Sequence, residues 1–541
     1  MKNSTKKIKA IIISLVITII ISAFSNNYIF SQNYDPNKTG KKLATAMQII
    51  KYAYVDSINE PELVENAIIE TLKKLDPHSA YISKEDIDKA NEPLVGSFEG
   101  IGVSFQIFKD TILVIAPIPG GPSDKLGILA GDKIVEIEGE DATGSKINNE
   151  YVFKKLRGKK GTKVNVGIYR KGKKDLIDYT ITRDKIPINS IDAVFMASPD
   201  IGYIKLNRFS KTTMQEFRES LKELEDKGME KLILDLRGNS GGYLNTAVEL
   251  SDEFLPNNKL VVYTKGLRSP VHEYNATLEG SFENGKLVIL INEGSASASE
   301  IVSGAVQDWD RGIIIGRRSF GKGLVQRPFQ LPDGSVIRLT TARYYTPTGR
   351  SIQRPYENGV EDYYEDLYNR LKNGEMIHPD SIHFPDSLKY FTSKNRIVYG
   401  GGGIMPDVFI PWDSTRVSDY YSDLIRNGVF NKFIIQYIDD NRKNLLKKYP
   451  DFKTYENNFK IDNNFMDKFF EFAQKEGVEK DEEGFKISEV LLKQQIKALI
   501  ARNLWDLSSY FEIVTKIDDG YLKAVEILED GVLFEELEIG D

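Results

Sequence analysis

Two short runs of small residues could do chemistry together. The first, Asn292-Glu293-Gly294-Ser295-Ala296-Ser297-Ala298-Ser299-Glu300, follows the apolar run Lys286 to Ile291, which suits a buried strand. Small side chains at a strand-to-helix turn let a carbonyl approach the backbone and aim helix N-terminal N–H groups at developing negative charge. With Ser299 as the helix cap and Glu300 in the first turn, Ser297 is a candidate nucleophile. The same run also reads as a tight N-cap that only permits close packing. A serine nucleophile needs a base, and the histidines (His78, His272, His378 and His383) sit in segments without catalytic context. A lysine can serve if burial brings its pKa down from about 10.4. Ser319-Phe320-Gly321-Lys322-Gly323-Leu324-Val325-Gln326 offers Lys322 between two glycines, directly after the apolar run Ile313 to Ile315. An ordinary surface-loop lysine is the alternative.

A third run, Asp235-Leu236-Arg237-Gly238-Asn239-Ser240-Gly241-Gly242, also follows an apolar stretch. Its glycines permit positive φ and bare N–H groups, which could complete an oxyanion hole or merely turn the chain. Glycine-rich loops of this kind also cradle phosphates. No Gly-x-x-x-x-Gly-Lys-Ser/Thr is present, however, and the glycine spacing is not that of a dinucleotide site.

The elements that must position these residues follow from periodicity. From Ile186 to about Trp412, strand-like and helix-like stretches alternate. Strands are expected at Gly202–Leu206, Lys231–Leu236, Lys286–Ile291 and Ile313–Ile315, with helices at Thr212–Lys227, Thr246–Phe254 and Ser299–Trp309. That order predicts a layered α/β core, in which loops beyond the carboxyl ends of parallel strands are neighbours. Within it, Tyr356 to Tyr399 reads as an irregular, aromatic-rich insertion. Residues 26–92 read as a helical region interrupted by Leu75-Asp76-Pro77-His78-Ser79. Residues 93–185 alternate as five or six short strands with a helix at Asn149–Leu156. Residues 413–541 are expected to be an amphipathic helical extension, with helices including Asp423–Tyr437 and Ile487–Leu504. The fold class is therefore multidomain α+β.

The chain has 541 residues, a net charge of −7 and no cysteine, so disulfides, thiolate metal sites and a cysteine nucleophile are excluded. No basic stripe interleaved with aromatics points to nucleic acid. Lys2, Lys6, Lys7 and Lys9 precede an apolar run from Ala10 to Phe24, shorter than the roughly 20 residues of a membrane-spanning helix. Residues 1–25 thus read as a signal peptide, with an uncleaved anchor as the alternative. Either places the body outside the cytoplasm, in the periplasm, soluble or attached to the inner membrane.

Taken together, the segments from Leu75 to Pro411 resemble the C-terminal processing (tail-specific) serine proteases. The resemblance is carried by Leu75-Asp76-Pro77, Gly100-Ile101-Gly102-Val103, Gly131-Asp132-Lys133-Ile134, Asp235-Leu236-Arg237 through Gly242, Ser295 to Glu300, Phe320-Gly321-Lys322-Gly323 through Gln326, and Gly349-Arg350-Ser351-Ile352-Gln353. It implies a crotonase-like protease core at 186–412 in which Ser297 is the nucleophile, Lys322 the general base and Gln326 the residue that orients it. The oxyanion donors would be the N–H groups of Ala298 and Gly242. It also implies a PDZ domain at 93–185, whose loop Gly100, Ile101, Gly102 and Val103 receives a substrate's terminal carboxylate while the next strand pairs with the peptide. On a straight strand Lys322 and Gln326 would lie roughly 13 Å apart, so contact between them needs a turn in the backbone. No metal or organic cofactor is implied, and the expected partners are proteins or peptides with free C-termini; a homodimer is left open. The rivals are a catalytically silent PDZ scaffold on a protease fold and a crotonase-like acyl-CoA enzyme. The first is disfavoured by the presence of Ser297, Lys322 and Gln326, the second by the export signal and the PDZ insertion.

Overall fold

The computed structural model describes residues 36–277 and 280–540; the expected signal or anchor at 1–25 lies outside them. The chain divides into two compact units, 1–71 and 72–541. The first contributes the helix Pro36–Ala53 and most of the helix Glu60–Lys73.

The second unit opens with a three-residue strand, β1 (Ala80–Ile82), and a helix, Ile87–Val95. Then comes a β-rich module: β2 (Ser97–Gly100), β3 (Val103–Phe108), β4 (Thr111–Pro117), β5 (Lys133–Ile137), β6 (Glu140–Asp141), β7 (Lys163–Tyr169), β8 (Ile177–Thr182) and β9 (Asp184–Pro187). Its sheet runs β3-β4-β5-β7-β8 with every pair antiparallel, and β2 pairs with β9 where the chain enters and leaves. Alternation along these strands buries Ile112, Val114, Ile134, Val164 and Ile168 against Val152 of the helix Asn149–Leu156. That helix starts where Asn148 caps it, its side chain accepting from Tyr151 N–H at 2.9 Å.

The larger core contains β10 (Ile191–Met196), β11 (Ile201–Leu206), β12 (Lys231–Asp235), β13 (Leu260–Lys265), β14 (His272–Asn275), β15 (Leu287–Ile291), β16 (Ile313–Gly316), β17 (Leu324–Gln330) and β18 (Val336–Tyr345). A hairpin of β19 (Lys389–Phe391) and β20 (Ile397–Tyr399), then β21 (Val408–Phe409), complete it. The main sheet has the order β10-β11-β12-β15-β16-β21, parallel except for β10. All of β15 is buried, as a continuous apolar run requires when both sheet faces are covered. On one face Leu232, Leu234, Ile289 and Ile314 meet Phe217, Leu221, Leu250 and Val302 of the helices Thr213–Asp226, Leu244–Asp252 and Ala298–Asp308. On the other, Ile233, Val288, Leu290 and Ile313 meet Tyr521, Ala524, Ile527 and Phe534 of the chain's last helices.

Three expectations need amendment. The end of the 413–541 extension is a layer of the catalytic core, because the sheet's second face must be buried by something. The middle of the extension does form its own cluster, around Phe430, Phe433, Tyr455, Phe469, Leu492 and Ile496. Residues 26–92 are not wholly helical, since β1 pairs with β18 in a second sheet, β1-β18-β13-β14, to which β17 adds. The 356–399 insertion is not irregular throughout. It holds the helix Val360–Lys372, with Glu361 and Asp362 in its first turn and Arg370 and Lys372 in its last, the signs its dipole favours.

Candidate active site

Beyond β15 the chain turns sharply and starts the helix Ala298–Asp308, every residue of which is buried. The N-cap is Ser297, not Ser299 as the sequence suggested. Ser297 has φ 55° and ψ −110°, a conformation rare for a side-chain-bearing residue and held here by its surroundings. Ser299 instead sends its hydroxyl to the Asn239 carbonyl at 2.8 Å.

That contact is one of several stitching this turn to the loop after β12. Ser295 Oγ donates to Leu236 O at 2.8 Å, Ala296 N–H to Asn239 O at 3.0 Å, and Gly238 N–H to Asn292 Oδ1 at 2.8 Å. Close approach dictates the glycines. A Cβ on Gly241 (φ +101°) would sit 2.9 Å from Ser297 Cβ and 3.0 Å from Ala298 N, and one on Gly242 would sit 2.0 Å from Phe209 O. The N–H groups of Ala298 and Gly242 have no hydrogen-bond acceptor among the described residues. The start of the same loop is anchored by charge. Arg237 joins Asp235 (2.7 Å) to Asp518 (2.7 Å), the N-cap of the helix Asp519–Asp530. Burial works to raise the Asp235 carboxyl, but Arg237 and Lys205 hold it well below the usual carboxylate range.

Glu300 ties the serine turn to the lysine loop. Fully buried, it accepts from Ser297 N–H (2.7 Å) and Lys322 N–H (2.9 Å) on Oε2, and from Ser319 Oγ (2.5 Å) and Gly321 N–H (2.7 Å) on Oε1. Burial pushes its pKa up and these four donors oppose that. Lys322 itself lies in the loop before β17. Burial, then the nearby Arg338 charge, lowers its pKa from the ordinary lysine value, while Glu300 and Asp76 act in the other direction. Gln326 lies in β17 just past a bulge between Val325 and Gln326, and its Nε2 donates to Thr340 Oγ1 at 3.2 Å. Thr340 Oγ1 in turn donates to Asp76 Oδ1 at 3.0 Å.

Sequence reasoning missed several of these parts. Glu300 was legible only as a first-turn acid, and Asp76 only as a turn marker before proline. His78, set aside for want of context, lies within electrostatic reach of Lys322 and has Nε2 2.9 Å from Tyr363 Oη. Burial and the Lys322 charge lower its pKa to about 4, so it is neutral at ordinary pH. The available signal was a polar turn, Asp76-Pro77-His78-Ser79, interrupting an apolar pattern. Among the described residues no group of three His, Cys, Asp or Glu side chains is arranged to hold a metal ion.

A carboxy-terminal-processing protease of Bartonella bacilliformis is 38% identical over 309 residues, covering 56% of this chain and 70% of that protein. The chain belongs to the C-terminal processing protease family. The model of peptidase family S41 matches residues 200–365, a PDZ domain model 100–181, the model of the activating protease CtpB N-terminal domain 23–86, and a family of unknown function (DUF8443) 420–506. The carboxy-terminal processing protease CtpB of Bacillus subtilis is 33% identical over 328 residues, covering 60% of this chain and 67% of its own. A solved photosystem II D1 C-terminal processing protease aligns with 26% identity and a TM-score of 0.35, covering 68% of this chain and 92% of that one.

The module matched by the PDZ model has an open sheet edge. β3 ends the sheet order, so its outer side is open to a further strand. In the loop before it Gly102 has φ +75°, and the Ile101 carbonyl is held by Ser123 through both N–H (3.1 Å) and Oγ (2.6 Å). Gly100, Ile101 and Gly102 are buried and Val103 is partly exposed. Phe105 of β3 meets Phe153 of the helix Asn149–Leu156 edge-on, ring centroids 5.8 Å apart. Among the described residues, no hydrogen bond or ion pair joins the Gly100–Val103 loop to the Ser297–Lys322 cluster.

Proposed function

We propose that this protease is a serine endopeptidase that cleaves proteins near unstructured C-terminal tails, with Ser297 as nucleophile and Lys322 as general base. The observation that carries the reading is Glu300, one of whose buried oxygens accepts the N–H of both residues and so holds the nucleophile's turn against the base's loop. In the first step Lys322 Nζ takes the Ser297 hydroxyl proton as Oγ attacks the scissile carbonyl. The oxyanion is received by the N–H groups of Ala298 and Gly242. Collapse expels the amine, which leaves with the proton returned by Lys322. Water, deprotonated by the same lysine, then hydrolyses the acyl ester.

The PDZ groove supports tail selection. A terminal carboxylate would meet the Gly100–Val103 N–H groups while the peptide adds a strand to β3. Gln326 is assigned to orient the base. A silent scaffold is disfavoured by the presence together of Ser297, Lys322 and Gln326. Export from the cytoplasm belongs to the same reading and is supported by the lysine-rich, then apolar, residues 2–24. Among the described residues no helix is long and apolar enough to cross a membrane.

The test uses one unstructured peptide with either a free or an amidated C-terminus, incubated with the wild-type protein and with Ser297→Ala. Cleavage of the free-carboxylate peptide alone, lost in Ser297→Ala, is expected. Equal rates on both peptides overturn tail selection, and cleavage that survives in Ser297→Ala overturns the nucleophile.

A further inference from the structure

We propose that Asp76 and Thr340 are positioning residues that fix the direction of the Gln326 amide and, through it, the orientation of the lysine base. The inference rests on the Ser297–Lys322 reading above. Its physical basis is a chain of hydrogen bonds whose polarity has one solution. An ionised carboxylate only accepts, so Asp76 Oδ1, 3.0 Å from Thr340 Oγ1, takes that hydroxyl's single proton. With its proton committed, Thr340 Oγ1 can only accept from Gln326, and it does so from Nε2 at 3.2 Å. The amide is therefore locked with Nε2 toward Thr340, which leaves Oε1 as the end that would accept from the Lys322 amine when the base is in its working position. A lysine holding its N–H bonds to fixed acceptors presents its lone pair in a fixed direction, which a general base needs.

Asp76 is itself built to stay in place. It is 6% exposed, and it also accepts from His78 N–H (2.8 Å), Ser79 N–H (2.8 Å) and Ser79 Oγ (2.6 Å). Ser79 Oγ in turn receives Thr340 N–H at 3.1 Å, and β1, which follows directly, pairs with β18 across Ala80 and Arg338. The turn between the helix Glu60–Lys73 and β1 thus brings one carboxylate to the back of the catalytic loop. The groups facing Lys322 from the surrounding elements are Glu300, Asp76, Arg338 and the neutral His78. Removing the Asp76 charge takes away one of the two negative charges that favour the ammonium and leaves Glu300 balanced by Arg338, so the lysine pKa falls.

The experiment measures kcat and KM across pH for Asp76→Asn, Thr340→Val, Thr340→Ser and Lys322→Ala on the free-carboxylate peptide. Asp76→Asn should lower kcat by roughly tenfold at unchanged KM, a fraction of what a general base contributes, and move the rising limb of the profile to lower pH. Thr340→Val, nearly the same shape without the hydroxyl, should lose a similar factor without that pH shift, and Thr340→Ser should recover it. If Asp76→Asn does not fold, the Thr340 pair carries the test. Wild-type kcat in Thr340→Val, a loss that Thr340→Ser does not recover, or an unmoved profile in a folded Asp76→Asn overturns the relay. Activity in Lys322→Ala overturns the dyad instead, so the two failures are distinguishable.

Discussion

The two places where substrate would meet this protein are built in opposite ways. Around Ser297, three loops after parallel strands are cross-linked by buried bonds. One carboxylate takes four donors, and two glycines are forced by contacts of 2.0–3.0 Å. In the PDZ module the proposed recognition surface is the free edge of β3, where Phe105 meets Phe153 of a short helix. On the proposed mechanism the first site is preorganised for charge that appears only in the transition state, where donors that need no rearrangement are worth most. On the same proposal the second would gain affinity by adding a strand, which requires its edge backbone to be left unsatisfied until the peptide arrives. Mutations in the first should therefore act on kcat, and those in the second on KM.

Predictions that probe this contrast run from large effects to small. Ser297→Ala should reduce kcat by roughly 10⁴-fold or more with peptide binding retained, checked by cleavage assay and by fluorescence anisotropy of a labelled peptide. Binding lost together with cleavage would show that the two sites are not separable. Glu300→Gln places an amide where four donors converge on a carboxylate. It should cost about 3 kcal/mol in denaturant unfolding and most of the activity. Wild-type stability in that variant would mean the two loops are held by something else.

The rate should rise with pH as Lys322 deprotonates, with a midpoint below the ordinary lysine value, because burial and Arg338 favour the neutral amine. Replacing Arg338 with Gln removes a positive charge and stabilises the ammonium, so the midpoint should move upward. That direction is opposite to the shift expected for Asp76→Asn, and pH–rate profiles of the two variants read the pair. The smallest effect is expected at the groove. Gly102→Ala, whose Cβ would lie 3.0 Å from Ile186 Cδ1 at φ +75°, should raise KM for the free-carboxylate peptide several-fold and leave kcat alone. A fall in kcat there would join the groove to the chemistry.

Much of the catalytic loop cluster was legible because its signals are local. Ser297, Lys322 and the Gly241-Gly242 pair each follow an apolar run long enough to be a buried strand, and a run of small residues marks close approach wherever it occurs. The Ser297 cap was misplaced by two residues because Ser-Ala-Ser-Ala-Ser offers several N-caps of equal propensity. Only the bonds of Ser299 and Glu300 choose among them. Asp76 and Thr340 were illegible as a pair because 264 residues separate them, and no periodicity links a turn to a distant strand. The last helices were read as an appendage because amphipathic helices look alike in sequence whatever they cover.

What the sequence by itself determined is therefore the set of reactive residue types, their placement after buried strands, and the alternation that builds a layered core. Those properties depend on neighbours within a few positions. The tertiary structure decided which serine caps the helix, that Glu300 clamps both loops, that a turn far upstream reaches the lysine, and that the tail covers the sheet's second face. Each of these depends on which donor finds which acceptor, or which apolar face finds which, once distant segments are packed together.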